Sequence, residues 1–200
     1  MKPLIKYRGG KSKEIPSFSR YIPEQFDTYF EPFLGGGAVY FYLEPQKAVI
    51  NDVNAKLMTF YLDVKENYDV VSEQLAELQV LYEANQAEYR ELKELHPDHR
   101  VENKNEALYY ELRDMFNHKI KSRYLDSVVY FFINKTAYSG MIRYNAQGEY
   151  NVPFGRYRNF NTQLVTRKHH ELLQRASLFT GDYAKVFNMA TEHDFMFLDP

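Results

Sequence analysis

Short apolar runs alternate with helical patterns along much of the chain. Runs rich in β-branched and aromatic residues predict strands, and apolar residues at three- and four-residue spacing predict helices between them. Two strand–helix units in succession near the N-terminus predict an α/β fold with parallel strands. The predicted strands are residues 28–34, 47–51, 177–180 and 194–198, and the helices beside them are residues 38–43, 55–64 and 164–175.

The middle of the chain follows a different pattern. Residues 71–95 have the spacing of an amphipathic helix that Pro97 ends, and helices are also predicted at residues 106–120 and 123–134. Alternating apolar residues on either side of a turn at residues 145–148 predict a β-hairpin. The chain is therefore divided into a core domain, residues 1–70 and 163–200, and an inserted domain, residues 71–162.

The composition is typical of a folded protein. The 200 residues include 18 Tyr and 15 Phe, which is too many aromatic side chains for a disordered chain. The absence of cysteine excludes disulfides, thiolate nucleophiles and cysteine-ligated zinc, and fits a reducing compartment. No apolar run approaches the roughly 18 residues that span a bilayer, and the N-terminus lacks the apolar core of a signal peptide. We therefore expect a soluble, cytoplasmic protein.

The small net charge of −2 hides a strong segregation of charge. Residues 1–20 and residues 135–168 each carry six basic residues against one acidic residue, whereas residues 63–114 carry 14 acidic and 6 basic residues. Basic, aromatic-rich segments favour contact with a phosphate backbone, and the acidic stretch is typical of a solvated helical surface. The pattern points to a nucleic acid partner, with chance clustering as the alternative.

Acidic residues and glycines stand where the first two predicted strands end. Glu31 and a glycine turn at residues 35–37 follow the first strand, and Asp52 follows the second. Glycine lets the backbone approach a ligand closely, and an acid at the second strand can accept hydrogen bonds from ribose hydroxyls. The pattern predicts a nucleotide-cofactor site. The sequence fingerprint of nicotinamide-dinucleotide binding would need glycine where Tyr40 stands. This weakens the interpretation as a nicotinamide-dependent oxidoreductase without excluding it.

The later strands also end in acidic residues. Asp182 and Tyr183 follow the third strand, where an acid beside an aromatic ring suits the hydrogen-bonding amine and the flat face of an adenine. Asp199, before Pro200, ends the fourth strand and is a candidate catalytic carboxylate, although Asp-Pro also serves as a plain strand stop.

Two further patterns point away from specific chemistry. Residues 9–12 (Gly-Gly-Lys-Ser) suggest a phosphate loop, but that motif needs glycine where Ile5 stands, so the interpretation fails. The histidines show no metal-ligand spacing and are predicted to lie at the surface. They are His96, His99, His118, His169, His170 and His193.

Taken together, these elements resemble the Dam-type, alpha-group DNA adenine-N6 methyltransferases. Five elements occur in the family's order and span nearly the whole chain. They are Lys6-Tyr7-Arg8-Gly9-Gly10-Lys11, residues 31–37, residues 50–54, Gly181-Asp182-Tyr183, and a hairpin that includes residues 143–145 and 148–157. The resemblance implies a Rossmann-like S-adenosylmethionine-dependent methyltransferase sheet with a helical and β-hairpin target-recognition insertion.

The resemblance implies methyl transfer from S-adenosylmethionine to N6 of a flipped-out adenine in double-stranded DNA. Asp199 and the carbonyl of Pro200 would accept the two N–H bonds of the amine, which favours the tetrahedral form that attacks. Alignment in a dry pocket, without a metal, would then suffice. For the cofactor, the resemblance implies Glu31, Phe33, Gly35, Gly36 and Gly37 on the methionine side, Asp52 at the ribose, Asp182 and Tyr183 at the adenine, and Tyr7 and Lys11 closing the site.

The resemblance also implies a set of DNA-binding residues. Arg143 suits bidentate contact with a guanine edge, while Arg156 and Arg158 suit contacts with phosphates. The other implied DNA-binding residues are Lys6, Tyr138, Ser139, Met141, Asn145, Pro153 and Tyr157.

The chain departs from the family pattern at two places. It stops at Pro200, before the second Pro and the aromatic residue of the family's Asp-Pro-Pro-Tyr motif. We therefore expect the N-terminal portion of an enzyme, completed by a separate C-terminal half or acting as a non-catalytic DNA- and cofactor-binding fragment. Ser139 stands where GATC-methylating relatives have Asn, so the target sequence stays open, as does an accompanying restriction endonuclease. The resemblance implies a location in the cytoplasm of a prokaryotic or phage-infected cell.

Overall fold

Runs of β-branched and aromatic residues form a parallel sheet, as their pattern predicts. The computed structural model describes residues 1–7, 9–162 and 164–200, so that Arg8 of the N-terminal element and Gln163 lie outside the described residues. The strands are β1 (Tyr29–Glu31), β2 (Ala48–Asp52), β3 (Ala176–Thr180) and β4 (Phe195–Met196). They are hydrogen-bonded in the order β3-β2-β1-β4, all parallel. The predicted α/β fold is confirmed.

Helices cover the sheet and form most of the insertion. The helices are α1 (Ile15–Phe18), α2 (Ala38–Leu43), α3 (Ala55–Glu66), α4 (Tyr68–Leu95), α5 (Lys104–Phe116), α6 (Asp126–Thr136), α7 (Arg167–Gln174) and α8 (Ala184–Phe187). Short 3-10 turns lie at Lys11–Lys13, Ser19–Tyr21 and Tyr138–Gly140. In the described part of the chain, no helix is both long and apolar enough to cross a membrane.

The chain divides into two compact units. The core unit consists of residues 1–68 and 164–200, and the insertion unit of residues 69–163. These boundaries lie close to those expected from the change in sequence pattern. The roles of the two units, in cofactor binding and in target recognition, stay predictions.

The core unit packs apolar residues against both faces of the sheet. On one face, α3 and α7 pack against each other and against β3. On the other face, Val186 of α8 joins Phe30 and Val49 in a buried cluster. The hydroxyl of Tyr40 donates to the carbonyl oxygen of Leu172, 3.0 Å away, which ties α2 to α7. These buried side chains hold the strands in place, and they thereby fix the positions of the polar residues that follow each strand.

The insertion unit has an aromatic core of its own. The ring of Phe160 lies 4.9 Å from that of Phe132 and 5.8 Å from that of Tyr82, and all three side chains are fully buried. Helices α5 and α6 pack beside this cluster as a pair. A buried aromatic side chain stabilises a fold by roughly 2–3 kcal/mol relative to its exposed state.

Several predicted boundaries shift in the structure. The helix predicted at residues 106–120 ends at Phe116, because Asn117 caps it and His118 takes a left-handed conformation, φ +56°. The helix predicted at residues 123–134 begins three residues later, at Asp126. The predicted hairpin is present as a single antiparallel bridge, Tyr144↔Tyr150.

One histidine contradicts the prediction that all six lie at the surface. His169 is only 5% exposed. His169 forms a reciprocal capping box with Thr166, in which the Oγ1 of Thr166 lies 2.8 Å from the Nδ1 of His169. The Nε2 of His169 lies 3.0 Å from the carbonyl oxygen of Lys2. Burial lowers the pKa of His169. This histidine therefore organises the start of α7 as a structural residue.

Candidate active site in the core unit

A cavity of about 570 Å³ opens at the carboxyl ends of the strands in the core unit. The loops that follow all four strands contribute to it, together with the N-terminal segment. The predicted residues that line it are Tyr7, Lys11, Glu31, Phe33, Gly35, Gly36, Asp52, Asp182, Tyr183, Asp199 and Pro200. Residues that are far apart in the sequence therefore meet in one cavity, as parallel strands with aligned carboxyl ends require.

The glycine turn after β1 is shaped by close contacts. Gly35 has φ +49°, and a Cβ atom there would lie 3.0 Å from the ring of Tyr7. A Cβ on Gly36 would lie 3.1 Å from the Cβ of Tyr7. The missing side chains therefore let Tyr7 close over the turn. Gly37, also predicted on the methionine side, has φ +67° and lies against Phe41 at the start of α2, outside the residues that line the cavity.

Asp52 connects the end of β2 to the glycine turn. Its Oδ2 accepts a hydrogen bond from the N–H of Gly35, and its Oδ1 accepts one from the N–H of Asn54, each at 2.8 Å. The side chain is 6% exposed. Each carboxylate oxygen can accept a second hydrogen bond, so the group can still take a ligand hydroxyl.

Asn51 is a site residue that sequence reasoning missed. Its Nδ2 donates to the carbonyl oxygens of Pro32 and Gly181, both at 3.0 Å. One amide thus joins the ends of β1 and β3 to β2. The signal that would have found it is a polar residue in an otherwise apolar strand, because a buried amide needs hydrogen-bond partners.

Glu31 is a buried carboxyl group at the end of β1. Its Oε2 accepts hydrogen bonds from the Tyr29 hydroxyl, at 2.8 Å, and from the N–H of Tyr40, at 3.1 Å. Burial is the main cause that raises the pKa of Glu31 to about 8. The hydrogen bonds from Tyr29 and Tyr40 lower the pKa, and the nearby charges of Asp199 and Asp52 raise it. A group with such a pKa favours a positively charged ligand, which would stabilise its ionised form.

Two aromatic rings and an acid follow β3 and β1. The rings of Phe33 and Tyr183 lie 5.1 Å apart, and Tyr183 is 47% exposed. The Oδ1 of Asp182 accepts the N–H of Ala184, the first residue of α8, at 2.8 Å. An exposed aromatic face beside a fixed carboxylate suits a planar base that carries an amino group.

Lys11 lies beside the candidate catalytic carboxylate. Its Nζ is 3.2 Å from Oδ1 of Asp199 and 3.7 Å from Oε2 of Glu14. Hydrogen bonding and charge from Asp199 raise the pKa of Lys11. Lys11 was predicted to close the cofactor site, and in the structure its ammonium group contacts Asp199 at the same cavity.

The predicted DNA-binding residues, apart from Lys6, lie in the insertion unit around the hairpin. Tyr138 is 58% exposed and Met141 is 42% exposed, so both present apolar surface to solvent. Ser139 takes a left-handed conformation, φ +57°, in the 3-10 turn before the hairpin. Arg143, Pro153 and Arg158 are exposed, and Tyr157 is half-buried.

Asn145 and Arg156 are predicted DNA-binding residues whose side chains contact other residues of the insertion unit. Asn145 accepts the N–H groups of Gln147 and Glu149 and donates to the Glu149 carboxylate, so it shapes the turn. Arg156 lies 3.9 Å from the carboxylate of Glu106. Because its side chain is 72% exposed, this ion pair contributes little and leaves the arginine accessible.

Asn117 at the end of α5 holds the hairpin, a role that the sequence did not reveal. Its Nδ2 donates to the carbonyl oxygen of Tyr150 at 2.9 Å, and its Oδ1 accepts the N–H of Tyr150 at 2.8 Å. The side-chain amide thus takes the place of a neighbouring strand. Only the fold brings Asn117 beside a residue 33 positions away.

Gly155 is a second residue whose role depends on the fold. Its N–H donates to the carbonyl oxygen of Thr136 at 2.8 Å. A Cβ there would lie 2.8 Å from the backbone oxygens of Thr136 and Ala137 and would overlap the ring of Tyr157. The segment after the hairpin can approach the end of α6 only with glycine at this position.

Comparisons with known proteins agree with the sequence elements. The family described as D12 class N6 adenine-specific DNA methyltransferase matches residues 7–200. The chain is 34% identical to the type II methyltransferase M.MjaIII of Methanocaldococcus jannaschii, over 100% of this chain and 68% of that protein. It is 32% identical to the type II methyltransferase M1.LlaDCHI of Lactococcus lactis subsp. cremoris, over 100% of this chain and 65% of that protein.

A third relative carries a different name. The chain is 29% identical to the DNA adenine methylase of Salmonella typhimurium, over 98% of this chain and 63% of that protein. The chain therefore spans about two thirds of the length of the curated relatives that it matches. The resemblance predicted from the sequence is confirmed.

Proposed function

This chain belongs to the D12 class of N6 adenine-specific DNA methyltransferases, and on that premise we propose that the protein methylates N6 of adenine within a specific sequence of double-stranded DNA. The observation that carries the proposal is the cavity at the strand ends, which joins Glu31, Asp52, Asp182 and Asp199. The methyl donor in the proposal is S-adenosylmethionine, in keeping with general use of this cofactor by methyltransferases of the family.

The residues of the cavity fit S-adenosylmethionine part by part. Gly35 and Gly36 let Tyr7 pack closely over the turn at the cavity, and Asp52 keeps acceptor capacity for ribose hydroxyls. The exposed ring of Tyr183 offers a stacking face for the adenine. Glu31 offers a buried carboxylate to a cationic group. When bound, the cofactor supplies an electrophilic methyl group on a positively charged sulfur.

Asp199 and the Pro200 carbonyl are proposed to activate the target amine. The lone pair of an adenine amine is delocalised into the ring, which makes the nitrogen a poor nucleophile. Two acceptors that bond its two N–H groups favour a tetrahedral nitrogen whose lone pair points at the methyl group. The Nζ of Lys11, 3.2 Å from Oδ1 of Asp199, holds this side chain at the cavity. A dry, aligned pocket then lowers the barrier by positioning.

The hairpin of the insertion unit is proposed to read the target sequence. The exposed side chains of Tyr138 and Met141 suit contact with unstacked bases, and Arg143 suits the edge of a guanine. Arg156 and Arg158, both exposed, suit phosphates. We propose that the protein acts on DNA in the cytoplasm, where its methylation either accompanies a restriction endonuclease or serves as a mark on the DNA. Relatives are named as a type II methyltransferase and as a DNA adenine methylase.

Calorimetric titration with S-adenosylmethionine tests the cofactor assignment. We expect binding by the chain, a loss of binding in Asp52→Ala, and unchanged binding in Glu73→Gln, which removes an exposed carboxylate from α4. A folded chain that binds no S-adenosylmethionine would contradict the assignment. Preference for a nicotinamide dinucleotide in the same titration would favour the oxidoreductase that the sequence left open.

A second experiment tests the reaction itself. Duplex DNA incubated with the chain and S-adenosylmethionine is digested to nucleosides, and N6-methyl-2′-deoxyadenosine is measured by mass spectrometry. Asp199→Asn keeps one acceptor oxygen but loses the charge, so we expect product formation to fall with unchanged cofactor affinity. Equal turnover by Asp199→Asn would remove Asp199 from the proposed mechanism.

A further inference from the structure

Arg143 is held in place by a residue across the hairpin, Asn151. The Nε of Arg143 donates to Oδ1 of Asn151 at 2.8 Å, and its Nη2 donates to the Asn151 carbonyl oxygen at 3.2 Å. The N–H of Asn151 in turn donates to the carbonyl oxygen of Arg143 at 3.1 Å. Side chain and backbone of one residue thus fix one arginine.

These contacts replace part of the hairpin ladder. In a continued antiparallel pair, the Asn151 carbonyl would accept the backbone N–H of Arg143. It accepts the guanidinium group instead, and the bridge Tyr144↔Tyr150 is the one the hairpin retains in the described residues. The chain therefore gives up a backbone hydrogen bond at the position that orients the arginine.

The two bonds also decide which edge of the guanidinium group faces outward. They occupy Nε and one N–H of Nη2, while the group has five N–H donors. Three donors remain, two on Nη1 and one on Nη2, and the Nη2 donor forms a parallel pair with one of the Nη1 donors at the far end. Such a pair matches the two acceptors, O6 and N7, that guanine presents in the major groove.

Asn151 itself is rigidly placed by its neighbours. Asn117 binds both backbone groups of Tyr150, on one side. The Tyr109 hydroxyl donates to the carbonyl oxygen of Val152 at 2.8 Å, on the other side. Both anchors come from α5 or its cap. An exposed arginine is among the most mobile side chains, so a fixed partner removes freedom that binding would otherwise have to remove.

We propose that Asn151 is a positioning residue that sets the base specificity of Arg143. The inference rests on the proposed function, in which Arg143 contacts a base edge. It adds that recognition at this base pair depends on Asn151 through Arg143, and that Asn151 itself need not touch the base.

The test is selection of bound duplexes from a randomised DNA pool, with sequencing of the selected molecules. The proteins are the unaltered chain, Arg143→Ala, Asn151→Ala and the double variant. We expect Arg143→Ala to lower the preference at one base pair by roughly 5- to 150-fold. Asn151→Ala should lower the preference at the same base pair by about 3- to 10-fold, and the double variant should match Arg143→Ala.

Two further variants separate positioning from general folding. Asn151→Asp keeps an Oδ1 acceptor for the Arg143 Nε and should retain the preference. Asn159→Ala changes an exposed asparagine in the same unit and should alter nothing. The urea midpoint of each variant reports whether the fold is intact.

The outcomes distinguish the inference from its premise. If Arg143→Ala leaves every position unchanged, Arg143 does not read a base, and both the premise and the inference fail. If Arg143→Ala changes one position while Asn151→Ala changes none, or changes all positions equally, the premise stands and the inference is wrong. Additive losses in the double variant would also overturn it.

Discussion

The Oδ2 atom of Asp52 accepts the N–H of Gly35 at 2.8 Å, so the end of β2 holds the turn that follows β1. The same turn has the left-handed backbone of Gly35, over which Tyr7 packs. The cavity is therefore preorganised by protein contacts alone, and a ligand need not order it. Preorganised sites bind more tightly because less freedom is lost on binding.

Gly35→Ala should weaken both the fold and the cofactor site. Alanine in the left-handed region costs about 1–2 kcal/mol, and its Cβ would lie 3.0 Å from the Tyr7 ring, which must then shift. We expect a lower free energy of unfolding, measured in urea, and weaker binding of S-adenosylmethionine by calorimetry.

Gly148→Ala is the matched control for that variant. Gly148 also has positive φ, +78°, but a Cβ there meets nothing within 4 Å. It should lose a similar amount of stability from backbone strain while cofactor affinity stays unchanged. Equal cofactor affinity in both alanine variants would contradict a role for the Gly35–Tyr7 contact.

Replacement of Glu31 by Gln should stabilise the protein at high pH. In the unfolded chain the carboxyl ionises near its ordinary pKa of 4.5, whereas burial raises the pKa in the fold to about 8. Between these values folding takes up a proton, so the wild-type free energy of unfolding falls as pH rises, by about 1.4 kcal/mol per pH unit for this group. Glutamine does not titrate, and its single oxygen can accept both bonds that Oε2 accepts.

Urea unfolding at pH 5, 6.5 and 8 checks the Glu31 prediction. We expect the stability of Glu31→Gln relative to wild type to increase steadily across that range and to level off above pH 8. Other titrating groups are common to both proteins and cancel in the difference. A difference that does not change with pH would show that Glu31 ionises normally in the fold.

Cofactor binding should release a proton from Glu31. At pH 7 a carboxyl group with a pKa of about 8 is mostly protonated, and a cationic ligand favours the ionised form. Calorimetry at pH 7 in two buffers of different ionisation enthalpy should therefore show net proton release on binding of S-adenosylmethionine. The release should disappear in Glu31→Gln, with weaker binding. Equal proton release in both proteins would assign it to another group.

The sequence predicted what depends on local pattern. Asp52 and the glycine turn follow strands whose runs are apolar and β-branched, and the strands formed close to the expected positions. His169 was misplaced, because its burial depends on Thr166 and on the distant carbonyl of Lys2. Asn51 was missed for a similar reason, since its two acceptors belong to other strand ends.

The hairpin shows the limit of prediction from local sequence pattern. Alternation around the turn predicted a hairpin without its register, and the structure pairs Tyr144 with Tyr150. The length of the ladder depends on competition for backbone groups: Asn117 takes those of Tyr150, and the Arg143 side chain takes the carbonyl of Asn151. Such competition is set by tertiary structure and has no signature in the spacing of apolar residues.

Asn117→Ala should loosen the hairpin without changing the cofactor site. The substitution removes an acceptor and a donor from the backbone groups of Tyr150, and unsatisfied groups of this kind cost about 1–3 kcal/mol. We expect faster hydrogen exchange at the amide of Tyr150 and weaker DNA binding, with unchanged affinity for S-adenosylmethionine, whose proposed residues belong to the core unit.

Asn67→Ala provides the comparison for Asn117→Ala. The Asn67 side chain makes an exposed hydrogen bond to Asp63, 2.9 Å long, beyond the end of α3. Exposed groups regain hydrogen bonds with water, so this variant should change neither the Tyr150 amide nor DNA binding. If Asn117→Ala exchanged its Tyr150 amide no faster than Asn67→Ala does, the hairpin would hold its shape without the α5 cap. DNA recognition would then depend on the hairpin turn itself, which Asn145 closes.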